Sequence, residues 1–266
     1  MESQNLINTS ARKIWQKWSI AIRITPLIIL TALLKILCHY FGWELIELNA
    51  LFTSLVAGTI FLIGFLISGV LSDYKESEKL PSELSASMKS LFDDTYTIYK
   101  TKNTLTAFEF IEFQKKFSNS LVDWFYKKEK TAVILKKISD MNHFFIELDN
   151  EGIQAGYIIK MKNEQNNLRK MILRIDTIRD TNFVGSAYTI LEAMGFLIGF
   201  CLLIIKIEPF YASLFFTLVV TFLISYMFLL IKDLDNPFDY STNGENGTEI
   251  SLKPIHDLRM ILIDFI

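Results

Sequence analysis

Proline and glycine are scarce in the middle of this chain. Its 266 residues include five prolines and eleven glycines. Between residues 73 and 183, Pro81, Gly152 and Gly156 are the only residues of either type. Turns between strands draw heavily on both residues. Their scarcity argues against a strand-and-turn architecture for this block and favours helices.

The chain also has few cysteines and histidines and no large excess of charge of one sign. Cys38 and Cys201 lie within apolar runs, so we interpret them as small hydrophobic residues rather than a disulfide or metal site. His39, His143 and His256 have no Cys, Asp or Glu partner at metal-ligand spacing. The formal net charge of −2 argues against a nucleic-acid partner.

Recognisable catalytic motifs are absent as well. The sequence has no glycine-rich phosphate loop, no G-x-S-x-G and no H-E-x-x-H. We therefore predict a protein that is not an enzyme and that carries no cofactor and no metal.

Long apolar runs are abundant, since 51% of the residues are hydrophobic and 14% aromatic. A membrane-spanning helix needs about 20 predominantly apolar residues. Four stretches meet that requirement, within the segments 24–71 and 187–231: Ile24–Trp43, Ala50–Leu71, 187–205 and 210–231. The last two are separated by the charge and proline of Lys206–Phe210. The chain is predicted to be an all-α, multi-pass membrane protein with four transmembrane helices in the lipid bilayer.

Basic residues precede the first apolar run, and acidic residues follow it. Arg12, Lys13, Lys17 and Arg23 come before the run, while the link to the second run has two glutamates and no base. Lysine and arginine mark the cytoplasmic ends of membrane helices. This pattern predicts cytoplasmic N- and C-termini and a cytoplasmic block at 73–183.

The N-terminal segment 1–23 is predicted to be a cytosolic amphipathic helix. Ile14, Trp15, Trp18 and Ile22 recur at helical spacing among basic residues. Such a helix lies at the headgroup level with its tryptophans as anchors. A plain continuation of the first span fits the pattern equally well.

Two charges fall inside the predicted spans. Lys35 lies roughly 17 Å along the first helix, and Glu192 lies roughly 8 Å along the third, at 1.5 Å per residue. Charges within a membrane are functional candidates, although the stem of Lys35 could also snorkel to the outer interface. Because their depths differ, we predict no pair between Lys35 and Glu192.

Four apolar stripes at helical spacing follow one another in the block 73–183. Their members are Leu84, Met88, Leu91, Ile98 and Tyr99; Phe110, Phe113, Phe117, Leu121, Trp124 and Phe125; Ile134, Ile138, Met141, Phe145 and Leu148; and Ile153, Tyr157, Met161, Leu168, Met171, Ile172 and Ile175. Thr95 interrupts the first stripe, and Asn103 and Asp149–Gly152 mark helix boundaries. The block is predicted to form a large cytosolic helical bundle with these side chains as its core.

The C-terminal tail 232–266 begins with an acidic, turn-rich stretch. Asp233, Asp235 and Asp239 offer hard oxygen ligands for Ca²⁺. They lack the alternation and closing glutamate of a calcium loop, so a solvated acidic turn is the better interpretation. The tail then regains apolar helical spacing, at Ile255, Leu258, Leu262 and Ile266.

The second span, residues 50–72, has two different faces. At about 100° per residue, one face collects Ser54, Ala57, Gly58, Phe61, Phe65, Ser68 and Ser72. The opposite face is uniformly apolar, with Phe52, Val56, Ile60, Ile63, Ile67 and Val70. A simple anchor does not require this difference. We predict that the first face lines a pore, with Ser54, Ser68 and Ser72 as its polar lining.

Two motifs resemble the bestrophin channel family. Phe61-LIG-Phe65, running on into Asp73-YKES-Glu78, resembles the F-x-x-G-F pattern of the second bestrophin span. Asn236-Pro237-Phe238 looks like the N-P-F segment after the fourth span, and Glu249–Arg259 resembles the short apolar stretch beyond it. The order of four spans around a large cytosolic helical block is also similar.

The resemblance implies a homopentamer in a bacterial inner (plasma) membrane, with the second spans around one central pore. It places a hydrophobic neck at Ala57, Phe61 and Phe65, on the face already selected by periodicity. A ring of apolar side chains gates by dewetting, because it makes a narrow water column unstable. The implied activity is conduction of small monovalent ions, anions before cations.

The chain departs from the family pattern at several positions. Leu66 stands where bacterial members often have arginine, and Asp73 where an arginine-aromatic segment is usual. Ala57 is smaller than the usual neck residue, which implies a wider outer end of the constriction. The acidic run of calcium-activated members is replaced by Asp239-YSTNGEN-Gly247, so calcium gating does not carry over. Ion selectivity does not carry over from the family either, because bacterial relatives can pass cations.

Two other functions fit the same sequence. One is a pore effector of a bacterial defence or stress system, opened by a gating partner that the sequence does not identify. The other is a non-conducting scaffold, in which Gly58, Gly64 and Gly69 with Ser54 and Ser68 let helices approach closely.

Overall fold

A computed structural model describes the backbone of residues 2–180, 185–240 and 249–264, with side chains from residue 18 onward. Over these residues the chain forms nine α-helices and two very short strands. They are α1 Glu2–Tyr40, β1 Ile46–Glu47, α2 Ala50–Ser77, α3 Leu80–Lys102, α4 Leu105–Phe125, α5 Thr131–Asn150, α6 Ala155–Asp180, α7 Gly185–Ile204, β2 Ile205–Lys206, α8 Phe210–Asp235 and α9 Lys253–Asp264.

The chain divides into two compact units. The first, here called the span unit, comprises Met1–Tyr74 and Asn182–Asn236. The second, the helical unit, comprises Lys75–Thr181 and Pro237–Ile266.

The span unit contains the apolar helices. By length and composition, four stretches of the described chain are able to cross a membrane: Trp18–Tyr40, Ala50–Lys102, Ala155–Ile204 and Phe210–Asp235. Their apolar parts coincide with the four predicted spans. The predicted break at Lys206–Phe210 is confirmed, because α7 ends at Ile204 and α8 begins at Phe210. The two links of this unit meet through a parallel pairing of β1 with β2, which the sequence did not indicate.

The N-terminal segment continues into the first span without a break, since α1 is a single helix from Glu2 to Tyr40. Trp18 and Ile22 are 58% and 47% exposed. The side chains of Ile14 and Trp15 lie outside the described part of the chain. An interfacial role for residues 1–23 stays a prediction.

The helical unit packs α3, α4, α5, α6 and α9 around one core, and each helix has an identifiable boundary. The Thr104 side chain accepts a hydrogen bond from the Ala107 N–H at the start of α4. Asn103 ends α3 with φ +50° and Gly152 follows α5 with φ +74°. Both are residue types that tolerate the left-handed region. The helix boundaries predicted here are confirmed.

All four predicted stripes contribute to this core, although Tyr99 and Phe113 are only half-buried. Thr95 does not interrupt its stripe, because its side chain is fully buried and its hydroxyl both donates to the Leu91 carbonyl and accepts from Gln114 Nε2 at 2.9 Å. The fourth helix begins at Ala155, after Ile153. Ile158 is buried in place of Tyr157, which is half-buried.

The tail completes the helical unit. Ile255, Leu258 and Leu262 of α9 are buried, as predicted, while Ile266 lies outside the described residues. Phe238 is fully buried, with its ring centroid 6.2 Å from that of Phe125. The second half of the tail is therefore part of the core.

Arg179 of α6 covers the end of α4. Its guanidinium donates to the carbonyls of Trp124 and Phe125 at 3.3 and 3.0 Å. It also lies 4.4 Å from the centroid of the Trp124 ring. Cations at a helix C-terminus satisfy carbonyls that have no partner within the helix.

Candidate functional site: the exposed face of helix α2 and the cluster at its Ala50 end

One face of α2 is left uncovered by the described part of the chain. All six side chains predicted to line a pore are exposed: Ser54, Ala57, Phe61, Phe65, Ser68 and Ser72. Phe61 is 78% exposed and Phe65 is 69% exposed. Two large aromatic residues at i and i+4 lie on the same side of a helix, and here neither contacts a buried core.

The opposite side of α2 packs on α7 and α8. Ile63, Leu66 and Val70 are buried there, together with Leu191, Ile198, Leu202, Ile224 and Ile231. The buried side is rotated slightly from the predicted one, because Leu66 belongs to it and Ile60 is 42% exposed. This packing fixes which face of α2 remains uncovered.

The small residues on the uncovered side leave open space. A Cβ added at Gly58 or Gly64 would meet no atom within 4 Å. The Ser54 hydroxyl donates to the Ala50 carbonyl at 2.8 Å, as serines in membrane helices commonly do. The glycines therefore make no close helix contact within the described chain.

Lys35 is buried and does not extend to the membrane interface. Its side chain has no exposed surface, and its Nζ lies 2.9 Å from Glu44 Oε1. Nζ also donates to the carbonyls of Leu203 and Ile205, at 3.3 and 2.5 Å. Glu192, by contrast, is exposed on α7. The partner of Lys35 is thus a glutamate of the link, which sequence reasoning missed because it lies nine residues beyond Lys35 and outside the span.

Glu44 is shared by two basic residues. His39 Nδ1 lies 3.0 Å from Glu44 Oε2, and the His39 ring stacks on Phe210 with centroids 3.9 Å apart. Burial raises the pKa of the Glu44 carboxyl, but the hydrogen bond to His39 and the contact with Lys35 lower it more, so the net shift of the pKa is downward. Glu44 is therefore an anion at neutral pH.

The three aspartates of the tail have separate environments. Asp233 Oδ1 lies 3.4 Å from Arg23 in the span unit, and Asp239 pairs with Lys127 in the helical unit. Asp235 lies beside the hydroxyl of Tyr188 in the span unit. Among the described residues, no group of three His, Cys, Asp or Glu side chains could hold a metal ion. Each aspartate has a partner within its own unit.

Comparison with solved structures identifies the fold. A crystal structure of a bacterial bestrophin homologue from Klebsiella pneumoniae matches with a TM-score of 0.75 at 16% identity, over 91% of this chain and 97% of that chain. The chain has the bestrophin fold. A point variant of the same homologue gives a TM-score of 0.75 at 16% identity, over 91% and 98% of the two chains. A further structure, of a membrane protein, gives 0.72 at 16%, over 93% and 97%.

The sequence matches no protein-family model and no curated protein sequence. The resemblance drawn from F-x-x-G-F and N-P-F is nevertheless confirmed for the fold, which covers nearly the whole chain. Together with the four apolar helices, the bestrophin fold makes this an integral membrane protein.

Proposed function

We propose that this protein is an oligomeric ion channel whose pore is lined by the exposed face of α2. The observation that carries the proposal is the contrast between the two sides of that helix: Phe61 and Phe65 are 78% and 69% exposed, while Ile63 and Val70 are buried. An exposed face that combines serines, small residues and two phenylalanines suits a water-filled path with an apolar constriction.

Ala57, Phe61 and Phe65 form the neck of this pore. They lie at i, i+4 and i+8, so copies of α2 around a common axis place them as three stacked rings. Ser54 lies on one side of the neck, and Ser68 and Ser72 on the other, where hydroxyls can hydrate a permeating ion. The bestrophin fold of the chain supports a homo-oligomer, and we propose five subunits.

The path conducts small monovalent ions, anions in preference to cations, across a bacterial inner membrane with both termini in the cytoplasm. Phe61 and Phe65 impose a barrier by dewetting, which small rotations of α2 raise or lower. Asp233, Asp235 and Asp239 each have a different neighbour, so gating by calcium is not part of the proposal.

Ion flux from liposomes containing purified protein tests the proposal. Phe61→Ala and Phe65→Ala remove the rings of the neck and should increase flux. Phe196→Ala is the matched control, because Phe196 is 86% exposed on α7 but lies outside the proposed neck. It should leave flux unchanged.

Two results would overturn the channel. One is the absence of flux from the wild type and from both neck variants, and the other is a monomer by light scattering in detergent. Flux that appears only with a second protein present would favour the partner-gated effector.

A further inference from the structure

Lys35 is a cation enclosed within the span unit. Its side chain is fully buried, yet three acceptors surround the ammonium group: the Glu44 carboxylate and the carbonyls of Leu203 and Ile205. Burying an unpaired charge is costly, and a buried ammonium group is retained only where its hydrogen bonds and a counter-charge replace water. Both conditions are met here.

The acceptors come from the link between α1 and α2 and from the end of α7. Leu203 and Ile205 lie at the C-terminal end of α7 and just beyond it, where carbonyls lack partners within the helix and the helix dipole is negative. Glu44 belongs to the link that joins α1 to α2. One residue later, the Leu45 N–H donates to the Ile204 carbonyl at 2.9 Å, and β1 then pairs with β2. Lys35 therefore fastens one link to the other.

The link held by Lys35 leads directly into α2. Asn49 accepts a hydrogen bond from the Phe52 N–H at 2.9 Å and so caps the first turn of α2. Ser54, the first residue of the exposed face, follows one turn later. Only Leu48 separates Asn49 from β1, so the position of Glu44 restricts where the helix begins.

We infer that Lys35 is a positioning residue for the Ala50 end of α2, which it sets by holding Glu44 against the end of α7. The inference rests on the proposed function only in treating this end of α2 as a mouth of the pore. The residue acts through the link and does not itself contact the exposed face.

A second lysine at the same links provides a matched control. Lys206 Nζ lies 2.9 Å from Glu208 Oε1, the same separation as in the pair of Lys35 with Glu44. The side chains of Lys206 and Glu208 are 50% and 77% exposed, whereas Lys35 is buried. Exposed pairs contribute little, so Lys206→Met removes the same kind of contact without disturbing the link.

Thiol labelling at the two ends of α2 tests the inference. Cys38 and Cys201 are first replaced by alanine. Single cysteines are then placed at Ser54 and at Ser72, and a maleimide is reacted with each protein in detergent. Lys35→Met and Glu44→Gln should each change the labelling rate at position 54 relative to position 72 by roughly tenfold, the size expected for residues coupled through a shared contact. Lys206→Met should leave this ratio unchanged.

The double variant Lys35→Met with Glu44→Gln strengthens the test. Both substitutions remove the same contact between Lys35 and Glu44. The effect of the double variant on the ratio should therefore be smaller than the product of the two single effects. An unchanged ratio in Glu44→Gln, or an equal change in Lys206→Met, would overturn the inference. Glu44→Gln is decisive where Lys35→Met fails to fold, since it leaves both carbonyl contacts of Lys35 in place. Labelling requires no ion flux, so failure of the channel proposal and failure of this inference are distinguishable.

Discussion

Large aromatic side chains are buried in the helical unit but exposed in the span unit. In the helical unit Phe110, Phe125 and Trp124 are at most 1% exposed. In the span unit Phe61 and Phe196 are 78% and 86% exposed. In water, a protein is stabilised when its aromatic rings are buried away from the solvent. Rings on the outside indicate surroundings other than water, as a lipid bilayer provides for apolar helices.

Both units enclose polar groups. The span unit encloses Lys35 with its acceptors, while its apolar surface faces outward. The helical unit buries Asp94, which pairs with Lys160 at 2.8 Å, and the neutral Thr95 and Gln114, hydrogen-bonded to each other at 2.9 Å. Between helices in lipid, association depends on packing and on polar contacts rather than on exclusion of water. The span unit therefore combines its apolar cluster of α2, α7 and α8 with a few specific polar contacts, such as those of Lys35.

The comparison predicts unequal costs for removing a ring. Phe110→Ala should reduce the stability of the helical unit by about 3–5 kcal/mol, because the ring is fully buried and a cavity would remain. Phe196→Ala should change stability by less than about 0.5 kcal/mol, as surface substitutions do. Thermal unfolding of the two variants in the same detergent measures the difference. Equal losses of stability would contradict the assignment of Phe110 as buried and Phe196 as exposed.

A smaller effect on stability is expected at the C-terminal end of α4. Arg179→Gln should cost about 2 kcal/mol, because the carbonyls of Trp124 and Phe125 lose charge-assisted hydrogen bonds. Arg169→Gln on the same helix is the control, since its one hydrogen bond, to Ser139, is exposed and 3.4 Å long. Hydrogen exchange at the end of α4 should increase in the first variant alone. Identical exchange in both would show that Arg179 does not cap α4.

A further effect is expected on the pH dependence of the span unit. The pKa of Glu44 is lowered from its ordinary value of 4.5, so its contribution to stability is present above that value and is lost as pH falls through the folded-state pKa. The wild type should be more stable than Glu44→Gln at neutral pH, and the two melting temperatures should converge in acid. A difference that stays constant well below pH 4.5 would exclude the carboxylate as its source.

Periodicity and length predicted most of the fold. The stripes from Leu84 to Ile175 and the four apolar runs gave the helices, because burial of one face at 3.6-residue spacing is recorded directly in a sequence. The F-x-x-G-F and N-P-F motifs indicated the fold itself. The side chains predicted to line the pore are exposed on α2, and their role in a pore stays a prediction.

The contacts of Lys35 could not be predicted in the same way. They join residues far apart in the chain, such as Lys35 and Ile205, through a backbone carbonyl that every residue possesses. The acidic turn predicted for the tail needs a related correction, because Asp233 and Asp235 belong to the last turn of α8 and only Asp239 lies beyond it. Each aspartate has a partner far away in the sequence: Arg23, Tyr188 and Lys127. Periodicity reports which side of a helix is buried but not which polar atoms meet there.

Chemical block of the neck is the most direct test of the central claim, that the exposed face of α2 lines a conducting pore. In a background with Cys38 and Cys201 replaced by alanine, a cysteine is placed at Phe61, and at Phe196 as the control. A bulky, charged thiol reagent is then applied to liposomes that show ion flux. We expect modification at position 61 to stop the flux and modification at position 196 to leave it unchanged. Flux that continues after complete modification of position 61 would contradict the claim.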